Sequence, residues 1–90
     1  MHYVYVLFSE KDRHFYVGYS NDLQKRIEKH QRGLIRSTKY RLPLKLIYYE
    51  SYLIGSDAKR REKFLKGGKG RGELKIQLQD ILGKIGYKNL

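Results

Sequence analysis

Residues 3–19 have the sequence YVYVLFSEKDRHFYVGY, and this stretch decides the fold of the chain. Aromatic and β-branched residues, which favour strands, fill Tyr3–Phe8 and Phe15–Tyr19. The polar residues near Ser9–His14 are typical of a connecting loop. The stretch therefore predicts an antiparallel β-hairpin. Both strands are apolar on both faces, so we expect both in the middle of a covered sheet.

Helix signals follow the hairpin directly. Asn21 and the residue after it have capping side chains, and Gln24 lies three positions after Asn21, as in a capping box. We therefore expect a helix from this point to about Gln31. Gly33 ends the helix, because glycine adopts the left-handed conformation that closes many helices.

One more strand and a second helix follow in the middle of the chain. Residues 34–42 mix basic and hydroxyl side chains and predict an ordered loop, and the apolar run 44–52 predicts a third strand. Ser56 is a capping residue in front of a helix expected over residues 57–66. The glycines within residues 67–70 break that helix and predict a turn.

A last helix is expected over residues 73–82, because apolar residues recur there at helical spacing: Leu74, Leu78, Ile81 and Leu82. The order β-β-α-β-α-α predicts an α/β fold of the α+β kind. It consists of a small three-stranded antiparallel sheet flanked by about three helices. A chain of 90 residues has room for one core, so we expect a single domain over residues 1–90.

The charge of the chain points to a polyanionic partner. Twenty Lys and Arg residues against nine Asp and Glu give a formal net charge of +11, and the excess is spread over both halves. A polyanion relieves the resulting repulsion, and nucleic acid is the leading candidate because bound Lys and Arg release its counterions. Ribosomal proteins and membrane-surface peptides share such a composition, so charge alone does not choose among them.

Cysteine usage and the N-terminus indicate the compartment. The chain has no cysteine, which excludes disulfides, zinc ribbons and thiol catalysis and agrees with a cytoplasmic location. The apolar run at the N-terminus lacks a basic flank and a small-residue cleavage site, so it predicts a strand and not a signal peptide. No stretch is long enough to predict a membrane span.

Two polar residues fall on the inward face of the first predicted helix. At 100° per residue, Leu23 and Ile27 define its apolar stripe. His30 lies within that stripe, and Arg26 lies at its edge, one turn earlier. A lone inward histidine is more often a satisfied core residue than a catalyst, so the pair by itself decides little.

The second predicted helix repeats this pattern. Glu62 projects between Ala58 and Leu65, which mark the inner face. Burial of such groups costs free energy unless they are paired or hydrated. Two interpretations are open: the polar residues satisfy one another structurally, or they line a polar pocket. In a chain of charge +11, Arg26, His30 and Glu62 together favour the pocket.

The tyrosines add a second indication of a site. The chain has nine Tyr and no Trp. Tyr48 and Tyr49 are typical core residues of a strand. Tyr5 and Tyr16 fall on faces of the hairpin that allow both hydroxyls to point into the same pocket. Gly18 lacks a side chain, which indicates close approach of another group to the backbone there.

These residues form a pattern that resembles the GIY-YIG nuclease superfamily, and its short single-domain bacterial members most of all. The resemblance covers residues 3 to about 71 and rests on four elements in order: Tyr3-Val4-Tyr5, Tyr16-Val17-Gly18, Asn21-Asp22-Leu23 with Arg26 and His30, and the RREKFLK sequence of residues 60–66. The first motif has Tyr3 in place of its glycine. The asparagine that some members carry after the acidic helix has no clear counterpart between Gly67 and Ile76, which leaves substrate positioning open.

The resemblance implies a metal-dependent endonuclease that hydrolyses phosphodiester bonds in DNA, including structured or damaged DNA in repair or recombination. It implies that Tyr5 and Tyr16 are the motif tyrosines, that Arg26 binds phosphate, and that Glu62 binds Mg²⁺ or Mn²⁺. His30 takes the position of a catalytic His or Tyr. For Tyr5 to act as a general base, nearby positive charge lowers its pKa or His30 relays its proton.

The remaining basic residues are expected to contact the nucleic-acid backbone, and the leading candidates are Arg36, Lys39, Arg41, Lys66, Lys69 and Arg71. Two other hypotheses are open: a nucleic-acid-binding module of the same fold without catalysis, and a basic structural protein. DNA is the expected partner, with RNA also open. A protein partner is one possible source of specificity, and the sequence does not give the oligomeric state.

Overall fold

The computed structural model of the protein describes residues 1–88, in which three strands and four helices follow one another: β1 (His2–Ser9), β2 (Phe15–Ser20), α1 (Leu23–Gln31), β3 (Leu44–Tyr52), α2 (Gly55–Lys66), α3 (Gly68–Gln77) and α4 (Gln79–Ile85). The predicted α+β class, the hairpin and the three-stranded antiparallel sheet are confirmed. Within this part of the chain, no helix is both long enough and apolar enough to cross a membrane.

β1 is the central strand of the sheet, whose order is β2-β1-β3. Its residues Val4–Phe8 are almost completely buried, as two apolar faces predict. The expectation that β2 also lies in the middle is wrong, because β2 is an edge strand. Two apolar faces indicate that other elements pack on both sides of the sheet. They do not indicate that a strand has a neighbouring strand at each of its edges.

The two faces of the sheet carry separate apolar cores. On one face, residues of β1 and β2 pack with residues of α2, α3 and α4, among them Val6, Phe15, Ala58, Leu65, Leu74 and Leu82. On the other face, Tyr5 and Leu7 pack with Ile27 of α1 and with Leu44. The side chains of Tyr5 and its strand neighbours on that face therefore point toward α1.

The helix ends differ from expectation by one or two residues. The N-cap of α1 is Asp22, whose carboxylate accepts a hydrogen bond of 3.2 Å from the Lys25 backbone N–H. Gly33 follows the helix with φ of 73°, as predicted. α2 begins at Gly55 without a side-chain cap, so Ser56 lies in its first turn and is not the cap that the sequence predicts.

The C-terminal region contains two short helices where one was expected. α3 and α4 meet at Leu78. The predicted break of the second helix is confirmed, since α2 ends at Lys66 with Gly67 as its C-cap, but the break is a single residue because α3 begins at Gly68. Gly70 is buried inside α3, and a Cβ there would collide with the backbone of Phe64 and Leu65. The glycine at position 70 therefore allows α3 to pack closely against the end of α2.

Two glycines in the same helix test this explanation. Gly70→Ala is expected to lower the free energy of unfolding by about 1–3 kcal/mol, because the methyl group meets backbone that cannot move aside. Gly72→Ala, with nothing within 4 Å of the added Cβ, is expected to raise it by about 0.5–1 kcal/mol through helix propensity. Urea unfolding measures both, and equal effects of the two substitutions would contradict the close packing of α3.

Candidate active site

Tyr5 lies directly opposite Gly18 in the pairing of β1 with β2. A Cβ added to Gly18 would collide with both Cζ and the hydroxyl oxygen of Tyr5, so only glycine leaves room for that side chain. The close approach predicted at Gly18 is therefore made by the protein itself. Tyr5 is completely buried, and its hydroxyl is directed toward α1.

His30 of α1 is hydrogen-bonded to the Tyr5 hydroxyl. Its Nε2 lies 2.7 Å from the Tyr5 oxygen, and its Nδ1 lies 2.7 Å from Oγ1 of Thr38. All three side chains are completely buried. They form one hydrogen-bonded chain that joins the sheet, α1 and the loop after α1.

Thr38 is a site residue that the sequence did not reveal. It belongs to the loop expected over residues 34–42, where the only indication was the presence of hydroxyl side chains. The turn that contains it is closed by backbone hydrogen bonds to the Ile35 carbonyl, from Thr38 at 3.1 Å and from Lys39 at 2.9 Å. The loop is ordered, as predicted, and it directs Thr38 inward.

Tyr16 completes the aromatic part of the site. Its ring centroid lies 5.4 Å from that of His30 and 6.5 Å from that of Tyr5. Its hydroxyl accepts a hydrogen bond of 3.2 Å from Ser37, the neighbour of Thr38. The two motif tyrosines therefore both contact His30, and Tyr16 is the more exposed of the two.

Arg26 lies one turn before His30 on α1, beside the Tyr5 hydroxyl, where its charge lowers the pKa of both Tyr5 and His30. Its Nε is buried and has no hydrogen-bond partner among the residues that the structure describes. A buried donor without an acceptor costs about 1–3 kcal/mol. The Nε–H of Arg26 is thus a buried donor for which residues 1–88 supply no acceptor.

Glu62 approaches the site from α2. Its side chain is 22% exposed, and Oε2 lies 3.0 Å from Nζ of Lys66 one turn later. The same Nζ lies 5.9 Å from the ring centroid of Tyr16. The negative charge of Glu62 also raises the pKa of Tyr5. The carboxylate therefore lies at the rim of the site and acts electrostatically on its centre.

Burial controls the protonation of Tyr5 and His30. It raises the pKa of Tyr5 to about 12, an effect that Arg26 opposes and that Tyr16 and Glu62 increase. Burial, assisted by the charge of Arg26, lowers the pKa of His30 from 6.5 to about 4. Both side chains are therefore neutral near pH 7.

The basic residues form a rim on both sides of Tyr16. Arg26 and Arg36 line one cleft, and Lys66 and Arg71 line another together with Tyr16. The hydrogen bond from Ser37 to Tyr16 joins the walls of the two clefts. The rim offers positive charge beside the central tyrosines.

The other three basic candidates differ in their surroundings. Lys39, in the loop, and Lys69, in the first turn of α3, are exposed. Arg41 pairs with Asp12 through two hydrogen bonds of 2.5 and 3.2 Å. Asp12 thus already neutralises Arg41, just as Glu62 pairs with Lys66.

Comparison with known proteins agrees with this arrangement. A family model described as the GIY-YIG catalytic domain matches residues 1–75. The chain belongs to the GIY-YIG family. The family is one of nucleases, so the substrate class is nucleic acid, and its members generally use a divalent metal ion.

Short bacterial proteins are similar to this GIY-YIG chain. A UPF0213 protein of Staphylococcus saprophyticus is 38% identical over 83% of this chain and 92% of its own length. UPF0213 proteins of Clostridium perfringens and Staphylococcus aureus are 40% and 41% identical, over 73% and 72% of this chain and 71% and 79% of their own lengths. No solved structure matches the chain significantly.

The residues of the site fit a hard divalent cation. Residues 1–88 contain no group of three or more His, Cys, Asp or Glu that could hold a metal ion, so a closed zinc-type site is not formed there. Mg²⁺ requires less protein, because one or two carboxylates with water and phosphate oxygens complete its shell. Glu62 is the carboxylate at the rim of this site.

The lowered pKa of His30 predicts a loss of stability in mild acid. As the pH falls from 6.5 toward 4, His30 takes up a proton in the unfolded chain but not in the folded protein. The folded protein therefore loses on the order of 2 kcal/mol of stability over this window. His30→Gln is expected to lack this contribution. Urea unfolding at several pH values should show the two stability curves converging below pH 6.5, whereas parallel curves would contradict a buried neutral His30.

Proposed function

We propose that the protein is a metal-dependent endonuclease that hydrolyses phosphodiester bonds in DNA, with Tyr5, Tyr16, Arg26, His30 and Glu62 as its catalytic residues. The observation that carries this proposal is the buried N–H of Arg26, which has no acceptor within residues 1–88. It lies beside the Tyr5 hydroxyl, where a bound substrate would supply the acceptor. In a GIY-YIG nuclease, that acceptor is a phosphate oxygen.

Arg26 binds the phosphate that is cleaved. A guanidinium group offers planar, paired donors to non-bridging oxygens, and such charge-assisted hydrogen bonds are stronger than neutral ones. Because Arg26 is partly buried, its charge is poorly screened by water. Arg26 thereby fixes the phosphorus atom beside the Tyr5 hydroxyl.

Glu62 would hold Mg²⁺ or Mn²⁺, and the bound ion supplies charge neutralisation at the leaving oxygen. Glu62 pairs with Lys66 in this structure, so a metal ion held by Glu62 would leave Lys66 for a phosphate of the backbone. Neutralisation of Glu62 also removes one of the charges that raise the pKa of Tyr5.

Tyr5, once ionised by release of its own proton to solvent, accepts the proton of the attacking water. The water oxygen bonds to phosphorus while the bond to the leaving oxygen breaks, and that oxygen takes a proton from solvent. With a pKa of about 12, roughly one Tyr5 in 100,000 is ionised at pH 7. The bound substrate complex must therefore stabilise the ionised phenol. Arg26 lowers the pKa of Tyr5 already in the free protein. Tyr16, which is more exposed, orients the water or the phosphate.

The basic rim guides the nucleic acid across the site. Five of the basic candidates offer their charge to neighbouring phosphates without a structural ion pair to a distant residue: Arg36, Lys39, Lys66, Lys69 and Arg71. Arg41 contributes more weakly, since it is paired with Asp12. Such contacts position the strand without selecting a sequence. Structured or damaged DNA, in repair or recombination in the cytoplasm, is the substrate that we propose, and a partner protein is a possible source of specificity.

A second candidate function is a nucleic-acid-binding module without turnover. It is favoured by the high pKa of Tyr5 and by the ion pair that occupies Glu62 in the free protein. This candidate predicts salt-sensitive binding of DNA, with an affinity that falls steeply as salt rises, and no cleavage with any divalent ion.

A cleavage assay separates the two candidates. We expect the wild-type protein to nick or cleave supercoiled, flapped or branched DNA with Mg²⁺ or Mn²⁺ and not with EDTA. Glu62→Gln is expected to lower the rate at least about 100-fold, because it removes the metal ligand. Glu73→Gln, at an exposed position on α3, is the matched control and should leave the rate unchanged.

An arginine pair tests the phosphate role in the same assay. Arg26→Lys keeps the charge but loses the planar donors, so we expect a rate reduction of about tenfold or more. Arg32→Lys, at the exposed C-cap of α1, should have little effect. Cleavage that proceeds equally well in Glu62→Gln or in EDTA would refute the metal role, and binding without cleavage on every substrate would favour the non-catalytic module.

A further inference from the structure

The hydrogen-bonded chain of Thr38, His30 and Tyr5 has a direction that its geometry restricts. The three side chains are completely buried, and the two gaps, from Thr38 to His30 and from His30 to Tyr5, are both 2.7 Å. A neutral imidazole ring carries one N–H, and each hydroxyl carries one hydrogen. Three hydrogens are therefore available for only two hydrogen bonds. The hydrogen of one of the two hydroxyl groups must point away from these three side chains.

Two placements of the hydrogens allow both hydrogen bonds to form. If His30 carries its proton on Nδ1, it donates to Thr38 and accepts from Tyr5, and the Thr38 hydrogen is left over. If the proton is on Nε2, Thr38 donates to His30, His30 donates to Tyr5, and the Tyr5 hydrogen is left over. The choice depends on which leftover hydrogen has another acceptor.

Thr38 has no second acceptor among the described residues, since Nδ1 of His30 is the only hydrogen-bond partner of its hydroxyl there. A stranded hydroxyl hydrogen at this fully buried position costs about 1–3 kcal/mol. The hydroxyl of Tyr5 is different if the proposed function holds, because the attacking water or a phosphate oxygen then lies beside it. This step rests on that proposed function.

We propose that Thr38 is a positioning residue that fixes the tautomer of His30: its hydroxyl donates to Nδ1, so that the Nε2–H of His30 donates to the Tyr5 oxygen. Both hydrogen bonds then have the same donor-to-acceptor direction, from Thr38 in the loop through His30 in α1 to Tyr5 in the hairpin. The hydrogens of Thr38 and His30 then both have an acceptor, and the remaining hydrogen of Tyr5 points to the substrate.

This direction assigns a specific task to His30. An Nε2 that already carries a proton does not accept the proton of Tyr5, so His30 is not a proton relay. It stabilises the ionised phenol oxygen by donating to it, in addition to the positive charge of Arg26. In the other tautomer, the lone pair of Nε2 faces the lone pairs of the ionised oxygen, which destabilises the ionised form.

Nitrogen NMR measures the tautomer directly. Long-range ¹⁵N–¹H spectra of the imidazole rings distinguish a protonated from an unprotonated ring nitrogen, and loss of one signal set in His30→Gln assigns His30 against the two other histidines. At neutral pH, without metal and then with a short DNA in EDTA, we expect Nε2 to carry the proton. A proton on Nδ1 in the DNA complex would overturn the proposal.

Substitutions of Thr38 measure its effect on catalysis. Thr38→Val removes the hydroxyl and nearly keeps the shape, and we expect cleavage to slow by about tenfold or more, as for other residues that orient a functional histidine. Thr38→Ser restores the donor and should restore most of the rate. In a Tyr5→Phe background, Thr38→Val should cause no further loss, because the oxygen on which it acts is gone.

The double substitution distinguishes positioning from simple structural support. A merely structural Thr38 would slow the reaction by the same factor with and without the Tyr5 hydroxyl, and this outcome would overturn the proposal. If Thr38→Val does not fold, the NMR result on the wild type and the rate of Thr38→Ser still decide. Absence of cleavage by the wild type would refute the proposed function, whereas an Nδ1 proton with normal cleavage would refute only the role of Thr38.

Discussion

The lack of a side chain at Gly18 is the constraint on which the rest of the site depends. The ring of Tyr5 occupies the space that a Cβ at position 18 would take, and from there its hydroxyl reaches His30 of α1. His30 in turn holds the following loop through Thr38. One buried imidazole thus connects the hairpin, α1 and the loop. The ring of Tyr16 also lies beside His30, and Ser37 of the same loop donates to the Tyr16 hydroxyl. Any larger residue at position 18 would displace Tyr5 and break this chain at its first contact.

Two of the semi-buried arginines, Arg61 and Arg26, differ in whether the protein itself satisfies their buried donors. Arg61 makes hydrogen bonds of 3.0, 3.3 and 3.0 Å to the Glu50 carboxylate, which also accepts from the hydroxyls of Tyr48 and Tyr52. No buried side-chain atom of this network lacks a hydrogen-bond partner among residues 1–88. Despite burial, the hydrogen bonds from Arg61, Tyr52 and Tyr48 lower the pKa of Glu50. Arg26 has a buried Nε without an acceptor in the described part of the chain. The contrast within one small protein supports a ligand, and not a structural partner, for Arg26.

Hydrophobic patterns predicted the parts of the molecule that depend on faces of helices and strands. They identified the hairpin, the third strand and the inward positions of Arg26, His30 and Glu62, since each of these follows from the period of one element. They did not identify Thr38 or the pair of Arg41 with Asp12, because those contacts join loop residues whose spacing has no period. The same limit applies to the C-terminal helices. Glycines at positions 67–70 predict a turn locally, but packing of α3 against the backbone of α2 overrides that local preference.

The central claim, that a nucleic-acid phosphate completes the hydrogen bonding of Arg26, is tested most directly by the Nε–H resonances of the arginines. The ¹⁵N-labelled protein in EDTA would be titrated with a short DNA duplex, and the Arg61 Nε–H, which already donates to Glu50, serves as the internal control. We predict a saturable shift of the Arg26 Nε–H that weakens as salt rises, with the Arg61 signal unchanged. Binding that shifts exposed lysine signals but leaves the Arg26 Nε–H unmoved would contradict this account of the site.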